Sequence, residues 1–329
     1  MIPISIVTGF LGSGKTTLIA RLLRNPDFAR TAVIVNEFGE IGLDHDLIVA
    51  GDETLVTLTT GCICCRVRSD LIATLLDLDR RRIDQEIPGY DRVLIETSGL
   101  ADPAPILQAL ISDRDVNESH TIDTVLTLVD ALHGGTTLER YPEARRQVAV
   151  ADQLIITKSD QIAEVPEQLF MQLTAANPCA PVLTAVKGDI APDRLFAGAV
   201  QMVRASRLAT LPAKRAATPF LQAVHRGGIE TFTLERDRPI PALALALWLQ
   251  GLAEHCGAKL LRLKGLVEVQ ELPDRPAVIH VVRHSISEPE WLDRWPTLDH
   301  TNRIVFICEG VPRHFPVRLL DAIEHEVRS

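Results

Sequence analysis

The sequence lacks an excess of positive charge. Its 329 residues include 34 Lys and Arg against 43 Asp and Glu, which gives a formal net charge of -9. Nonspecific binding to nucleic acid depends on a basic surface, so this balance predicts that nucleic acid is not a partner. Hydrophobic residues make up 46% of the chain, an ordinary share for a globular protein with a sizeable core.

Long apolar segments and targeting signals are also missing. The longest apolar run, near Ala242–Leu249, is much shorter than the about 20 residues that cross a bilayer. The first residues, Met-Ile-Pro-Ile-Ser-Ile, do not have the basic start and apolar centre of a secretory signal. We therefore expect a cytoplasmic protein that has no membrane partner.

The chain has six cysteines, too few to form a disulfide scaffold in a protein of this length. Three of them, Cys62, Cys64 and Cys65, lie within four residues. In a reducing compartment such a cluster is typical of a metal-binding or redox-active site.

Short β-rich runs alternate with helical patterns through the first half of the chain. Examples are the predicted strands Thr31–Asn36 and Gln153–Thr157 and the predicted helices Lys15–Leu23 and Pro142–Ala149. Continuous apolar strands between helices predict an α/β domain with a mainly parallel sheet covered on both faces. We place this domain at residues 1–203 and a basic, proline-containing linker at 204–219. In 220–329, the order of helices and strands, the latter including Lys259–Gln270, Ala277–Arg283 and Arg303–Cys308, predicts a smaller α+β, ferredoxin-like domain of antiparallel strands.

The strongest motif runs from Gly9 to Thr16 and reads Gly-Phe-Leu-Gly-Ser-Gly-Lys-Thr. It satisfies every fixed position of a phosphate-binding P-loop and stands between a predicted strand and a predicted helix. Glycines let backbone N–H groups converge on phosphate oxygens, Lys15 reaches the β- and γ-phosphates, and the Thr16 hydroxyl ligates Mg²⁺. The predicted nucleotide-binding residues here are Gly12, Ser13, Gly14, Lys15, Thr16 and Thr17.

A second apolar strand ends in Glu96-Thr-Ser-Gly99. In the presence of a P-loop, an acid at this point can hold the magnesium shell or orient a water. Gly99 can offer its N–H to the γ-phosphate. We therefore predict Lys15, Glu96 and Gly99 as the catalytic residues.

A later strand ends in Thr157-Lys158-Ser-Asp160. The Asp160 carboxylate can accept hydrogen bonds from the N1 and N2 donors of guanine, a pair that adenine does not present. The stem of Lys158 can lie along the purine ring. Many GTPases carry Asn in place of Thr157. These three residues predict that the nucleotide is GTP or GDP.

The cysteine cluster supplies three soft thiolate ligands, which suit Zn²⁺ and Cu⁺. Three local thiols leave one position open for Glu40, a histidine, water or a ligand from a partner. Two other interpretations stay open at this point, a redox pair and buried small hydrophobic residues.

Taken together, these segments resemble the CobW family of GTPases, which belong to the SIMIBI class and are related to UreG and HypB, the nickel-insertion proteins of urease and hydrogenase. The resemblance rests on the P-loop, residues 35–44 (Val-Asn-Glu-Phe-Gly-Glu-Ile-Gly-Leu-Asp), Gly-Cys-Ile-Cys-Cys, Glu-Thr-Ser-Gly-Leu-Ala-Asp-Pro and Thr-Lys-Ser-Asp. It continues into the C-terminal part through Leu-Leu-Arg-Leu-Lys-Gly and Arg-Ile-Val-Phe-Ile.

The resemblance implies a GTP-hydrolysing metallochaperone that delivers Zn²⁺ or Co²⁺ to a client apo-metalloenzyme. It also implies that Cys62, Cys64, Cys65 and Glu40 hold this metal, that 36–44 is a switch region, and that a nucleotide-dependent homodimer can form. Two alternatives remain: an activator of one cobalt-related metalloenzyme, of the cobalamin-pathway or nitrile hydratase type, and a redox-regulated GTPase that delivers no metal.

Overall fold

The structure is a computed structural model that describes residues 1–37, 55–59, 66–196, 208–210 and 228–328. The predicted metal ligands Glu40, Cys62, Cys64 and Cys65 lie outside these ranges. So does most of the predicted linker, and the domain boundaries at 203 and 220 stay a prediction. The chain forms two compact units, one of Met1–Phe170 with Val182–Ala197 and one of Met171–Pro181 with Gly198–Ser329.

The first unit contains a seven-stranded sheet in which every pairing is parallel. The strand order is β3-β2-β4-β1-β5-β6-β7. The strands are β1 (Ile2–Gly9), β2 (Thr31–Glu37), β3 (Leu55–Thr59), β4 (Arg92–Thr97), β5 (His120–Asp130), β6 (Gln153–Thr157) and β7 (Val182–Ala185). The predicted parallel α/β domain is confirmed.

Seven α-helices of the described part connect these strands. They are α1 (Lys15–Leu23), α2 (Arg66–Ile83), α3 (Ala104–Ser112), α4 (Arg114–Ser119), α5 (Gly134–Arg140), α6 (Pro142–Ala149) and α7 (Glu167–Ala176). The apolar residues of α1, among them Leu18, Ile19 and Leu22, recur at helical spacing and pack against the sheet core at Val7 and Leu128. The central strands are buried along almost their whole length, as expected for a parallel sheet covered on both faces.

The second unit contains an antiparallel sheet of order β11-β10-β9-β13-β8, with β12 paired to β10. Its elements are β8 (Ile229–Arg236), α8 (Ala242–Cys256), β9 (Leu260–Val269), β10 (Leu272–Val282), β11 (Ser285–Ile286), β12 (Glu290–Trp291), β13 (Asn302–Glu309) and α9 (His314–Arg328). Trp248 of α8 and Phe306 of β13 are fully buried in one core. The predicted antiparallel α+β domain is confirmed.

Within the ranges described, no helix combines the length and the apolar content that crossing a bilayer requires.

Candidate nucleotide site

The loop between β1 and α1 has the geometry of a phosphate cradle. Gly14 caps the N-terminus of α1 in the left-handed conformation, with φ of 91°, which residues with a side chain rarely adopt. The Lys15 ammonium donates to the carbonyl oxygens of Gly9 at 3.0 Å and Phe10 at 3.4 Å. The lysine therefore folds over its own loop, and its charge lies where phosphate oxygens would meet the N-terminus of α1.

The ends of β1 and β4 are neighbours, and this brings Thr16 and Glu96 together. The Thr16 hydroxyl donates to Glu96 Oε1 at 2.8 Å, and the Glu96 side chain is only 5% exposed. Next to them, the Thr97 hydroxyl donates to the Thr8 hydroxyl at 2.7 Å. A hydroxyl and a carboxylate at hydrogen-bond distance form the kind of all-oxygen donor pair that suits Mg²⁺, so these residues fit that ion.

The loop after β4 touches the phosphate loop directly. A Cβ added to Gly99 would lie 2.8 Å from both Cα and N of Leu11, closer than real atoms approach. On the other side of the loop, the Gln147 carboxamide of α6 donates to the carbonyl oxygens of Gly99 and Ala101, each at 3.0 Å. Gln147 was not predicted as a site residue. Its partners lie 48 and 46 positions away, and no local pattern marks it.

These groups surround a cleft of about 290 Å³. Eight of the predicted site residues line it, namely Gly12, Gly14, Lys15, Thr16, Thr17, Glu96, Gly99 and Lys158, together with Leu11, Val35, Thr97 and Ser98. Ser13 and Thr157 are not among the lining residues. Ser13 is 2% exposed, and its hydroxyl oxygen has no hydrogen-bond partner among the described residues.

The strand end that was predicted to read the base is tied to the phosphate loop. The Thr157 hydroxyl donates to the Ser13 carbonyl oxygen at 2.7 Å, so this side chain supports the phosphate loop and does not line the cleft. Lys158 follows in a left-handed conformation, with φ of 57°, and extends to the cleft. Asp160 lies in the short 3-10 turn Ser159–Gln161 and is exposed, outside the lining of the cleft.

Lys158 is oriented by an acid at the end of the neighbouring strand β5. Its ammonium lies 2.7 Å from Asp130 Oδ2, while Asp130 Oδ1 accepts from the backbone N–H groups of Leu132 at 2.8 Å and His133 at 3.1 Å. Burial by itself raises the pKa of Asp130. The hydrogen bonds from Lys158 and from the two N–H groups outweigh burial, so the pKa of this carboxyl lies below its usual value.

The predicted cysteine site is reached through β3. This strand ends at Thr59, which pairs with Glu37 at the end of β2, and Cys62 follows three residues later. Among the residues that the structure describes, no group of three or more His, Cys, Asp or Glu could hold a metal ion. Cys179, Cys256 and Cys308 are buried and are not joined in disulfides. The described part therefore offers no other cysteine cluster for the metal.

A parallel sheet with a phosphate cradle at the carboxyl end of β1 defines the P-loop class of nucleotide-binding proteins. Within that class, residues 3–184 match the family described as CobW/HypB/UreG, nucleotide-binding domain, and residues 229–324 match the cobalamin synthesis protein cobW C-terminal domain. The chain belongs to the CobW/HypB/UreG family and is a YjiA-like GTPase.

Individual relatives agree with this assignment. The zinc chaperone YjiA of Escherichia coli is 34% identical over 311 residues, which cover 94% of this chain and 95% of that protein. The zinc chaperone CobW of a Sinorhizobium species is 39% identical over 184 residues, 54% of this chain and 49% of its own length. The crystal structure of Zn(II)-bound YjiA GTPase from E. coli superposes with a TM-score of 0.71 at 25% identity and covers 98% of each chain.

Proposed function

We propose that this protein is a GTP-hydrolysing metallochaperone. It binds a transition metal, zinc before cobalt, at the loop of Cys62, Cys64 and Cys65 and transfers it to a client metalloprotein under nucleotide control. The observation that carries the proposal is the convergence of Lys15, Thr16 and Glu96 in one cleft, on a sheet whose strand β3 leads directly into the cysteine loop.

The reaction is the hydrolysis of GTP to GDP and phosphate. Lys15 neutralises charge on the β- and γ-phosphates, and Gly99 donates its N–H to the γ-phosphate as charge develops there. Thr16 and Glu96 hold Mg²⁺, which neutralises further phosphate charge when bound. Among the predicted catalytic residues there is no arginine, so we expect a slow intrinsic rate.

Recognition of the base is assigned to Lys158 and Asp160. The ion pair with Asp130 fixes the direction of the Lys158 stem, which then lies along the purine ring. Asp160 accepts the two guanine donors, and its exposed position in a short turn leaves the carboxylate accessible to a ligand. Thr157 contributes by holding the phosphate loop.

The metal is the cargo, held by three thiolates with Glu40 as the fourth ligand. Two relatives, one matched over 94% of this chain and the other over 54%, are named zinc chaperones. One solved relative is described as Zn(II)-bound. Thiols bind metal only when they are reduced, so the protein works in a reducing compartment, which we propose is the cytoplasm.

The strand order supports a connection between the two sites. Asn36 at the end of β2 pairs with Thr97 on one side, and its neighbour Glu37 pairs with Thr59 on the other. The strand that leads to the cysteines is three strand spacings from the P-loop strand, about 14 Å. If the γ-phosphate orders the segment after β2, the change would affect both the nucleotide cleft and the cysteine loop. Such coupling is reciprocal: the nucleotide changes zinc affinity by the same factor as zinc changes nucleotide affinity.

The test is a zinc titration of the protein in three states: loaded with a non-hydrolysable GTP analogue, loaded with GDP, and free of nucleotide. We expect zinc affinity to differ between these states and to be lost when Cys62, Cys64 and Cys65 are replaced by Ala. The matched control is Cys256→Ala, which removes a buried thiol of the second unit and should leave zinc binding unchanged. Equal affinity in all three states would refute the coupling. Competition with Co²⁺ in the same assay measures the choice of metal.

A second copy of the chain is the proposed nucleotide-dependent partner, in addition to the client. Leu11 lines the cleft, Leu100 follows Gly99, and Tyr141 packs on Phe10 of the phosphate loop with ring centroids 4.5 Å apart. Their exposed fractions are 58%, 51% and 41%. Exposed apolar residues that border a ligand site are suited to a contact that depends on the ligand. Leu100→Asp should abolish the dimer that GTP induces, as measured by light scattering, while Leu243→Asp, at a leucine of α8 that is 59% exposed, should not.

A further inference from the structure

Gln147 is a buried residue of α6 whose side chain acts on the loop that follows β4. It is 1% exposed, and its carboxamide nitrogen donates to the carbonyl oxygens of both Gly99 and Ala101 at 3.0 Å. Both N–H bonds of the carboxamide are therefore used on the same short segment. A buried side chain that donates both N–H groups to two backbone carbonyls fixes that backbone in place.

The side of α6 that carries Gln147 is itself attached to the central sheet. The Thr127 hydroxyl of β5 donates to the backbone oxygen of Gln147 at 2.9 Å. On the far side of the loop, Gly99 abuts Leu11 of the phosphate loop, where an added Cβ would lie 2.8 Å from the Leu11 backbone. The loop is thus held between the phosphate cradle and a helix that is anchored to β5.

This attachment bears directly on the chemistry assigned to Gly99. A glycine can turn its peptide planes more freely than any other residue, so its N–H needs external support to keep one direction. The peptide plane that contains the Gly99 N–H also contains the Ser98 carbonyl, which accepts from the Ala101 N–H at 3.0 Å. The bonds from Gln147 to the carbonyls of Gly99 and Ala101 hold the rest of this turn, so the peptide planes on both sides of Gly99 are fixed. The N–H of Gly99 is then aimed before the nucleotide arrives, and a preorganised donor needs no reorientation during the reaction.

We propose that Gln147 is a positioning residue for GTP hydrolysis, which holds Gly99 in the orientation that meets the γ-phosphate. This inference rests on the proposed function, since it assigns a task to Gly99 in that reaction. Gln147 is not among the residues that line the cleft. Because it acts through Gly99, we expect its effect to be specific for ligands that carry a γ-phosphate.

Two variants of similar volume separate positioning from packing. Gln147→Met keeps the length of the side chain and removes both donors, and Gln147→Glu keeps the shape and replaces the donors by acceptors. The matched control is Gln153→Met. Gln153 is 2% exposed and also donates to a backbone carbonyl, that of Arg194 at 3.0 Å, but it lies at the start of β6, away from the cleft.

For both Gln147 variants we expect kcat to fall at least about tenfold, because a misplaced group in an active site loses that much or more. Affinity for a non-hydrolysable GTP analogue should fall several-fold more than affinity for GDP. Gln153→Met should change the ratio of the two affinities by less than about twofold. A purely structural role of Gln147 would instead lower both affinities equally, and this result, or wild-type turnover in Gln147→Met, would overturn the inference.

The two proposals fail in different ways. If the wild-type protein binds the GTP analogue but does not turn GTP over, the proposed hydrolysis is wrong. The ratio of analogue to GDP affinity then still decides whether Gln147 supports contact with the γ-phosphate. If the wild-type protein hydrolyses GTP and neither the kcat nor the affinity ratio of the Gln147 variants changes, only the role of Gln147 is wrong.

Discussion

The ammonium of Lys158 lies 2.7 Å from a carboxylate oxygen of Asp130, and this ion pair joins the ends of the neighbouring strands β6 and β5. Asp130 is the better protected partner, with 13% of its side chain exposed against 33% for Lys158. It also accepts two backbone hydrogen bonds from the segment that leads into α5. One acid therefore orients the lysine of the cleft and terminates its own strand.

Asp130→Asn removes the charge and keeps the shape. We expect the free energy of unfolding at neutral pH to fall by about 1 kcal/mol, since a partly exposed charged hydrogen bond is lost. Affinities for GTP and GDP should fall by the same factor, because Lys158 loses its orientation toward the purine ring, which both nucleotides share. Urea unfolding and nucleotide titration measure the two effects, with the exposed Asp193→Asn as control.

The same variant has a defined pH dependence. The pKa of Asp130 is lower in the folded protein than in the unfolded chain, so its contribution to stability is fully present above the unfolded value, about 3.9. The contribution is lost as the pH falls through the lower, folded value. The stability difference between wild type and Asp130→Asn should therefore be constant near neutrality and shrink below about pH 4. A difference that grows on acidification would contradict this.

Asp160→Asn should change the choice of nucleotide. An amide presents a donor to one of the two guanine donors, so affinity for GTP should fall by about 10²-fold or more. Xanthosine triphosphate, which has an acceptor at the altered position, should bind better than to wild type. Competition between the two nucleotides gives the result directly. Unchanged preference for guanine would remove Asp160 from the base site.

Glu96→Gln tests the magnesium site. The neutral amide can still accept from the Thr16 hydroxyl, so the fold should be retained. The loss of an anionic oxygen should raise the Mg²⁺ concentration needed for half-maximal turnover and lower kcat by about 10²-fold. Turnover measured against Mg²⁺ concentration, together with a melting curve, separates this effect from unfolding. An unchanged dependence on Mg²⁺ would assign Glu96 a different role.

Stability of the second unit depends on a buried acid in α9. Glu324 is 2% exposed and accepts from Arg236 and Arg238, each at 2.7 Å. Glu324→Gln removes the buried anion that Arg236, with 9% of its side chain exposed, shares with Arg238, and should cost about 2 kcal/mol because a buried charged hydrogen bond is weakened. Asp321 pairs with the same arginine at 2.9 Å but has 54% of its side chain exposed. Asp321→Asn should therefore cost less than about 1 kcal/mol in the same unfolding experiment.

Cys308 should not contribute to thiol labelling of the folded protein. Burial raises the pKa of this thiol to about 11, so at pH 8 it is protonated as well as shielded. We expect Cys308 to react with a maleimide only after unfolding, which mass spectrometry of labelled peptides would detect. Rapid labelling of Cys308 in the folded protein would show that the core of the second unit opens.

Elements with strong local signals were predicted closely. The predicted bounds of α1, α6 and β6 coincide with those in the structure. Each has a clear local cause: the P-loop lysine opens α1, a proline opens α6, and an unbroken apolar run forms β6. The P-loop residues themselves were predictable because their geometry is set by adjacent glycines.

Other elements depend on contacts that no local pattern encodes. Helix α5 begins with two glycines, which have low helix propensity, and it was not predicted. The first four residues of β10, Leu272–Arg275, are exposed, and prolines stand at 273 and 276, so the strand was expected to start at Ala277 and not at Leu272. The Asp130–Lys158 pair and the Gln147 contacts depend on which strands and helices are neighbours, which becomes known only from the strand order.

The hydroxyl of Thr157 that donates to the Ser13 carbonyl has a consequence for how relatives of this protein diverge. Many GTPases carry asparagine at this position, and its carboxamide can donate a hydrogen bond as the threonine hydroxyl does. Exchange between the two residues during evolution would then preserve the hydrogen bond between the end of β6 and the phosphate loop. Substitution by valine, which has the same shape but no donor, would remove that hydrogen bond and should be rare among active descendants.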